Sequence, residues 1–311
     1  MARNRKSKLL LYLEFAVAKT ILVVLGVLPR RAAIGLGIFV AKLGFKLLGR
    51  LRKTGLRNLE IAFPAKTENE RLEILKGTFE NLGRVLGEVG QFHKYTREDL
   101  ARIVDFQFDE ETTQLYEQVK REKRGVVITT GHLGNWEMLV FAFAALYEPM
   151  SYLARPLDNP LLEELTVGIR TRFGARPINK SNSAMLAIKL LREGEILGVL
   201  ADVNAHPKEG VFVPFFGIES CTTAGPAMFA IRTNSILFPI FCVFDKDSDR
   251  YKIVRGAALE PVITGDRTSD VLATTAAYTA EIEKIIRAYP EQWLWIHRRW
   301  KTRPKGDEKV Y

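Results

Sequence analysis

Residues 124–137 read RGVVITTGHLGNWE, and the fold turns on how this stretch is interpreted. Val126–Thr130 is a short β-branched run without a charge, the pattern of a strand buried on both faces. Gly131 ends it, and Asn135 is a good N-cap for the apolar segment that follows to Tyr147. A buried strand, a glycine-rich turn and a helix in that order make one unit of an α/β layer.

Working outward, the same alternation recurs. MSYLARP (150–156) is strand-like, and Asn159-Pro160 opens a helix with a cap and an N1 proline, running to about Phe173 before Gly174. SNSAMLAIKLLREG (181–194) has helical spacing, EILGVLAD (195–202) reads as a buried strand, and VFVPFFG (211–217) follows a polar loop. Ala224–Asn234 reads as helix, 235–244 and 250–259 as two paired strands, and Thr268–Ala288 as the last long helix. On the N-terminal side, helical spacing of apolar residues covers about 68–95. The expected fold is α/β, a mixed sheet flanked by helices in a single domain, with an N-terminal membrane-associated helical segment. The expected division is 1–50 for that segment and 51–311 for the main domain.

The N-terminal expectation rests on Leu9–Leu28, twenty residues interrupted only by Glu14 and Lys19. About 20 apolar residues suffice to span a bilayer. Each buried charge costs about 2.5–3.5 kcal/mol near mid-membrane, which argues against a simple span. Residues 32–50 continue with Lys42 and Lys46 beside Phe39, Leu43, Leu47 and Leu48, a basic amphipathic pattern suited to a lipid interface. The 311-residue chain carries a formal charge of +10, with cations concentrated at its two ends. That points to an anionic partner. Long aliphatic runs between the cations favour a membrane surface, and no nucleic-acid motif appears. Cys221 and Cys242 form no CxxC pair, so neither a disulfide framework nor a zinc knuckle is expected.

His132 is the strongest candidate for chemistry. It is one of four histidines, follows a strand directly, and is flanked by Gly131 and Gly134. Ligands of α/β sheets gather at the carboxyl ends of strands. Glu137 lies five residues on, in the first turn of the next helix, where a strand-to-helix turn can fold its carboxylate onto the imidazole. It would also suit the helix dipole with no further role. No GxSxG elbow, GxGxxG loop or HExxH cluster is present, which leaves a metal site of His132, His206, Glu137 and Asp202 unsupported. The aromatic block at 293–300 fits an interfacial belt or headgroup site as well as it fits core packing, and His297 is expected to be structural.

GHLGNWE resembles the active-site signature of the bacterial lipid A biosynthesis acyltransferases, the late lauroyl/myristoyl transferases of the glycerolipid acyltransferase superfamily. RNLEIAFP (57–64), ARPLDNP (154–160), VFVPFFG (211–217), TTAGPAMFA (222–230) and PEQWLWIHRRWKTRP (290–304) follow in that family's order. The resemblance covers nearly the whole chain. It implies His132 as general base with Glu137 orienting and polarising it, and Arg170, Asp202, Arg155 and Asn135 as substrate-binding positions. It implies no metal and no cofactor. The donor would be an acyl-carrier-protein thioester, the acceptor a glycolipid, and the location the cytoplasmic face of the inner membrane. Two departures from the family pattern stand out: Ala154 where Tyr is common, and Val203-Asn204 after Asp202. Another glycolipid or a lysophospholipid as acceptor, or a catalytically silent membrane-bound partner, are the alternatives.

Overall fold

Val126–Thr130, β2, is buried at every position and forms the middle of the molecule. The computed structural model describes residues 7–106, 108–179 and 184–311. β2 is flanked on one side by β5 (Ile196–Leu200) and on the other by β8 (Ile236–Asp245), both parallel to it. β3 (Ser151–Ala154) and β4 (Arg176–Asn179) extend the parallel side beyond β5. β9 (Arg250–Arg255) pairs antiparallel with β8, and β1 (Val104–Asp105) closes that edge. The seven-stranded order is β1-β9-β8-β2-β5-β3-β4, and a separate hairpin joins β6 (Gly210–Phe215) to β7 (Ile218–Thr223). The expected mixed α/β sheet is present. Residues 211–217 become half of that hairpin, whose second strand carries no strong sequence signal.

Two helical layers cover the sheet, and the alternation of β2 divides its side chains between them. Val127 packs with α9 (Ala184–Arg192), α10 (Gly225–Thr233), α11 (Arg267–Ala288) and the C-terminal tryptophans. Val126 and Ile128 pack on the other face with α5 (Arg97–Ile103), α6 (Glu110–Arg121) and α7 (Trp136–Leu146). α8 (Pro160–Arg170) bridges β3 and β4, its start capped by Asn159. The first three residues of the helical stretch foreseen at 181–194 lie outside the described residues; the helix itself is described from Ala184.

The N-terminal helices are α1 (Lys8–Val27), α2 (Arg30–Leu47), α3 (Gly49–Ala62) and α4 (Glu68–Gln91). α4 opens on a complete capping box, Thr67 with Glu70. α2 and α4 cross at backbone contact. A Cβ built on Gly83 would sit 2.5 Å from the Gly37 carbonyl oxygen and 2.6 Å from the Ile38 Cα. Small residues permit that approach, the packing mode of membrane helix pairs. Arg30 grips the fully buried Glu88 through Nε (3.0 Å) and a terminal nitrogen (2.6 Å), and Tyr95 donates to the same carboxylate. Gln91 donates to the carbonyls of Leu25 and Leu28, which fastens the α1–α2 turn. Glu14, the acid inside the apolar run, meets Asn159 at the start of α8. Lys19 lies over the Phe15 ring.

α1 is the one described helix long and apolar enough by itself to cross a membrane, while α2 and α3 meet at a bend of 88°. Of twenty-one exposed large apolar side chains among the described residues, fourteen fall between Leu9 and Leu48. The unpartnered apolar surface therefore belongs to the N-terminal hairpin.

Gly83→Leu should force α2 off α4 and lower the unfolding temperature of the detergent-solubilised protein, a cost of about 1–3 kcal/mol or more for overpacking. Gly35, on α2 with open space around its Cβ position, provides the control. Gly35→Ala should be neutral or stabilising by up to about 1 kcal/mol, and equal losses in the two variants would contradict the close crossing.

Candidate active site

β2 and β5 lie side by side, and the chain leaves β2 towards β3 on one side and returns later to β8 on the other. Such a switch in strand order opens a crevice at the carboxyl ends. His132 follows β2 and Asp202 follows β5, and the ladder continues between them through the Ala201 N–H and the Thr130 carbonyl (2.8 Å). Asp202 Oδ1 lies 2.9 Å from His132 Nδ1. Asp202 Oδ2 accepts the His132 backbone N–H at 2.7 Å and the Trp293 indole N–H at 2.8 Å. An ionised carboxylate only accepts, so Nδ1 carries the proton and Nε2 keeps its lone pair. Among the described residues Nε2 has no hydrogen-bond partner, and 22% of the side chain is exposed.

Burial of the imidazole favours its neutral form, but the Asp202 carboxylate, and Glu137 more weakly, outweigh it and raise the His132 pKa. Burial works to raise the Asp202 carboxyl, yet its contacts with His132 and the Trp293 N–H hold it below the usual carboxylate range. A histidine poised this way is a good proton acceptor near neutral pH.

The loop that presents His132 is held from three directions. Gly134 has φ +62°, and a Cβ there would strike the Cys242 carbonyl. Asn135 N–H donates to that carbonyl at 2.7 Å. Gly134 N–H donates to Gln292 O, and Leu294 N–H to His132 O, both at 3.0 Å, while Asn81 Nδ2 reaches Gly134 O at 2.8 Å. A Cβ on Gly131 would sit 2.8 Å from Asp202 Cγ, so glycine is what lets the acid approach.

Glu137 lies elsewhere than expected. It stands at the second position of α7 and faces α8, where Arg170 holds it with two bonds of 2.7 and 2.5 Å. The imidazole's direct partner is Asp202, because Nδ1 faces β5, and Glu137 acts on the ring only through space. Asn135 is fully buried, accepts Met138 N–H at 2.9 Å as the cap of α7 and points its amide at Tyr251. Its side chain is thus taken up by the α7 cap and the core. Arg155 is exposed, pairs with Asp158 at 3.5 Å and does not join the cluster. His206 lies on the surface, where it accepts from the Lys208 N–H. Among the described residues no group of three or more His, Cys, Asp or Glu is arranged to hold a metal ion.

The C-terminal block is a wall of this site. Trp293, Trp295 and Trp300 are almost wholly buried, which places the aromatic block in the core and not in an interfacial belt. His297 Nε2 accepts the Asn204 N–H at 3.2 Å, and burial lowers its pKa, so it stays neutral. Asn204, one of the departures seen in the sequence, ties the Asp202 loop to Thr302 through Oδ1 (2.8 Å) and Nδ2 (3.0 Å). Arg299 is fully buried against Cys221 O and Thr222, and burial brings its pKa down to about 10. The link from Trp293 to Asp202 spans 91 positions, and no local pattern announces it.

A family model described as bacterial lipid A biosynthesis acyltransferase matches residues 2–302. The lipid A biosynthesis lauroyltransferase of Escherichia coli K12 is 30% identical over 285 residues, covering 91% of this chain and 90% of the relative. The palmitoleoyltransferase of the same organism is 29% identical with the same coverage. A lipid A biosynthesis acyltransferase of Haemophilus influenzae is 31% identical, covering 82% of this chain and 78% of its own length.

The His132 ring should titrate above the ordinary histidine value of about 6.5 when followed by nitrogen-15 NMR. Asp202→Asn removes the charge that favours the imidazolium, so the midpoint should fall, by about one unit or more. An unchanged midpoint would mean that the pairing with Asp202 does not set the basicity of His132.

Proposed function

The chain belongs to the bacterial lipid A biosynthesis acyltransferase family, and from that premise we propose that it transfers a fatty acyl chain from an acyl-carrier-protein thioester to a hydroxyl of a lipid A precursor, with His132 as general base. The observation that carries the proposal is the His132–Asp202 pair, with the imidazole's Nε2 edge left open at the carboxyl ends of β2 and β5.

Nε2 takes the proton of the acceptor hydroxyl as its oxygen attacks the thioester carbon. The tetrahedral oxyanion then collapses, the carbon–sulfur bond breaks, and the departing thiolate takes the proton back from Nε2. An ester and a free thiol result, and no acyl-enzyme is needed. Both cysteines are buried, with burial holding their thiols above the usual range, which supports direct transfer over a cysteine nucleophile. Asp202 fixes the tautomer and stabilises the imidazolium, as the acid of a hydrolase triad does. Glu137 orients Arg170, whose guanidinium suits a phosphate of the acceptor or the oxyanion, and acts on His132 only weakly through space.

Residues 1–50 serve as the membrane attachment in this reading, and 51–311 as the catalytic body. The apolar side chains exposed on α1 and α2 enter the lipid of the inner membrane from its cytoplasmic face, which brings a lipid acceptor to the crevice. Exposed cations at Lys46, Arg50 and Lys53 favour an anionic surface and an acidic carrier protein.

His132→Ala should lose about 10²–10⁴ in rate, the usual worth of a general base, and Glu137→Gln should lose less. Because the base must be neutral, kcat/KM should fall as pH drops through the raised His132 pKa and level off above it. The direct assay incubates the purified enzyme with carrier-protein thioesters and a panel of acceptors, and follows acylation by mass. Transfer to a lysophospholipid with none to a glycolipid would overturn the lipid A acceptor. Extraction from membranes should need detergent, since apolar burial is not screened by salt. Release by high salt alone would show that attachment is electrostatic only.

A further inference from the structure

Asp202 is buried to 2% exposure, and its two oxygens have separate duties. Oδ1 faces the imidazole, and Oδ2 is shared by the His132 backbone N–H and the Trp293 indole. Trp293 is itself packed on several sides. Its ring meets Trp295 edge-on at 4.6 Å and Phe215 at 5.6 Å, and its backbone bridges to Leu133. The preceding Gln292 bonds the Phe244 N–H and carbonyl, each at 2.9 Å.

We infer that Trp293 is a positioning residue for the transfer reaction, its indole N–H holding the Asp202 carboxylate against the Nδ1 edge of His132 and limiting how strongly that carboxylate draws the Nδ1 proton. The inference rests on the proposal that His132 is the base. A carboxylate's charge is divided among its donors, and each donor lowers its basicity. With the indole donor removed, Oδ2 keeps only the backbone N–H, and more charge faces the imidazole. The imidazolium is then stabilised, and the base is protonated over more of the pH range. The other charged or titratable groups around the pair do not replace the indole. Glu137 on α7 is engaged by Arg170, His297 accepts from Asn204, and Arg299 donates to Cys221 and Thr222. None of them donates to Asp202 among the described residues. Phenylalanine keeps an aromatic ring at this buried position but is smaller and lacks the N–H, so the pH limb, and not the rate alone, separates the lost donor from lost packing.

Trp293→Phe in the full chain, assayed in detergent with a carrier-protein thioester and a lipid A precursor, should move the acid limb of kcat/KM to higher pH by about half a unit. Its kcat at neutral pH should fall several-fold with KM little changed. A lower kcat with an unmoved limb would make Trp293 a packing residue and overturn the inference. A second measurement needs neither activity nor that variant. In the wild-type chain labelled with nitrogen-15 tryptophan, the Trp293 indole resonance, assigned by its through-space contacts with Leu133, should titrate together with His132. That titration should vanish in His132→Ala, and an indole signal that ignores pH in the wild type would also overturn the inference. Should His132 not be the base, His132→Ala would stay active while the wild-type indole still titrated, so the two failures are distinguishable.

Discussion

One buried carboxylate ties the molecule together at its working end. Asp202 receives N–H groups from the His132 backbone, the His132 ring and the Trp293 indole, and so joins the ends of β2 and β5 to the C-terminal block. A buried carboxylate without donors would be strongly disfavoured, so these segments must assemble together. Gly131 makes the approach possible, and Gly134 bends the chain so that Asn135 can start α7. The direction of the His132 loop, the cap of the helix after it and the wall made by residues 292–294 all follow from satisfying that one acid.

How much of this was legible in the sequence depends on the range of the interaction. β2, α7, α8, β5, the β8–β9 pair and α11 each announce themselves by local pattern, and their boundaries lie within a few residues of the expected ones. His132 was legible because a histidine between glycines at a strand end is a local arrangement. Its partner was not: Glu137 is near in sequence but faces α8, whereas Asp202 is 70 positions away and reaches the ring through strand pairing. The β6–β7 hairpin and the short β1 were missed because their pairing is a tertiary matter, with little periodicity to read. The tryptophans were ambiguous for a related reason, since an aromatic belt and an aromatic core use the same residues.

The N-terminal hairpin shows the same contrast between composition and geometry. Its apolar content was plain, but not that glycines on α2 and α4 would let two backbones touch, nor that Glu88 would hold Arg30 from within α4. These contacts make the hairpin continuous with the body, so the apolar face of α1 and α2 has a fixed orientation relative to the crevice. A flexible tether would leave that orientation free.

Two carboxylates near one imidazole pose a problem that Arg170 resolves. A general base works best when its pKa lies near the operating pH. Against the effect of burial, Asp202 raises the His132 pKa, and Glu137 adds to the rise. Were Glu137 unpaired, its full charge would favour the imidazolium further. The two-pronged pairing with Arg170, at 2.5 and 2.7 Å, offsets that charge while keeping both groups beside the crevice. The arginine's own burial disfavours its charge, and the same carboxylate compensates. Glu137 and Arg170 therefore belong together as a nearly neutral pair, and Asp202 is left as the one acid that sets the tautomer of His132.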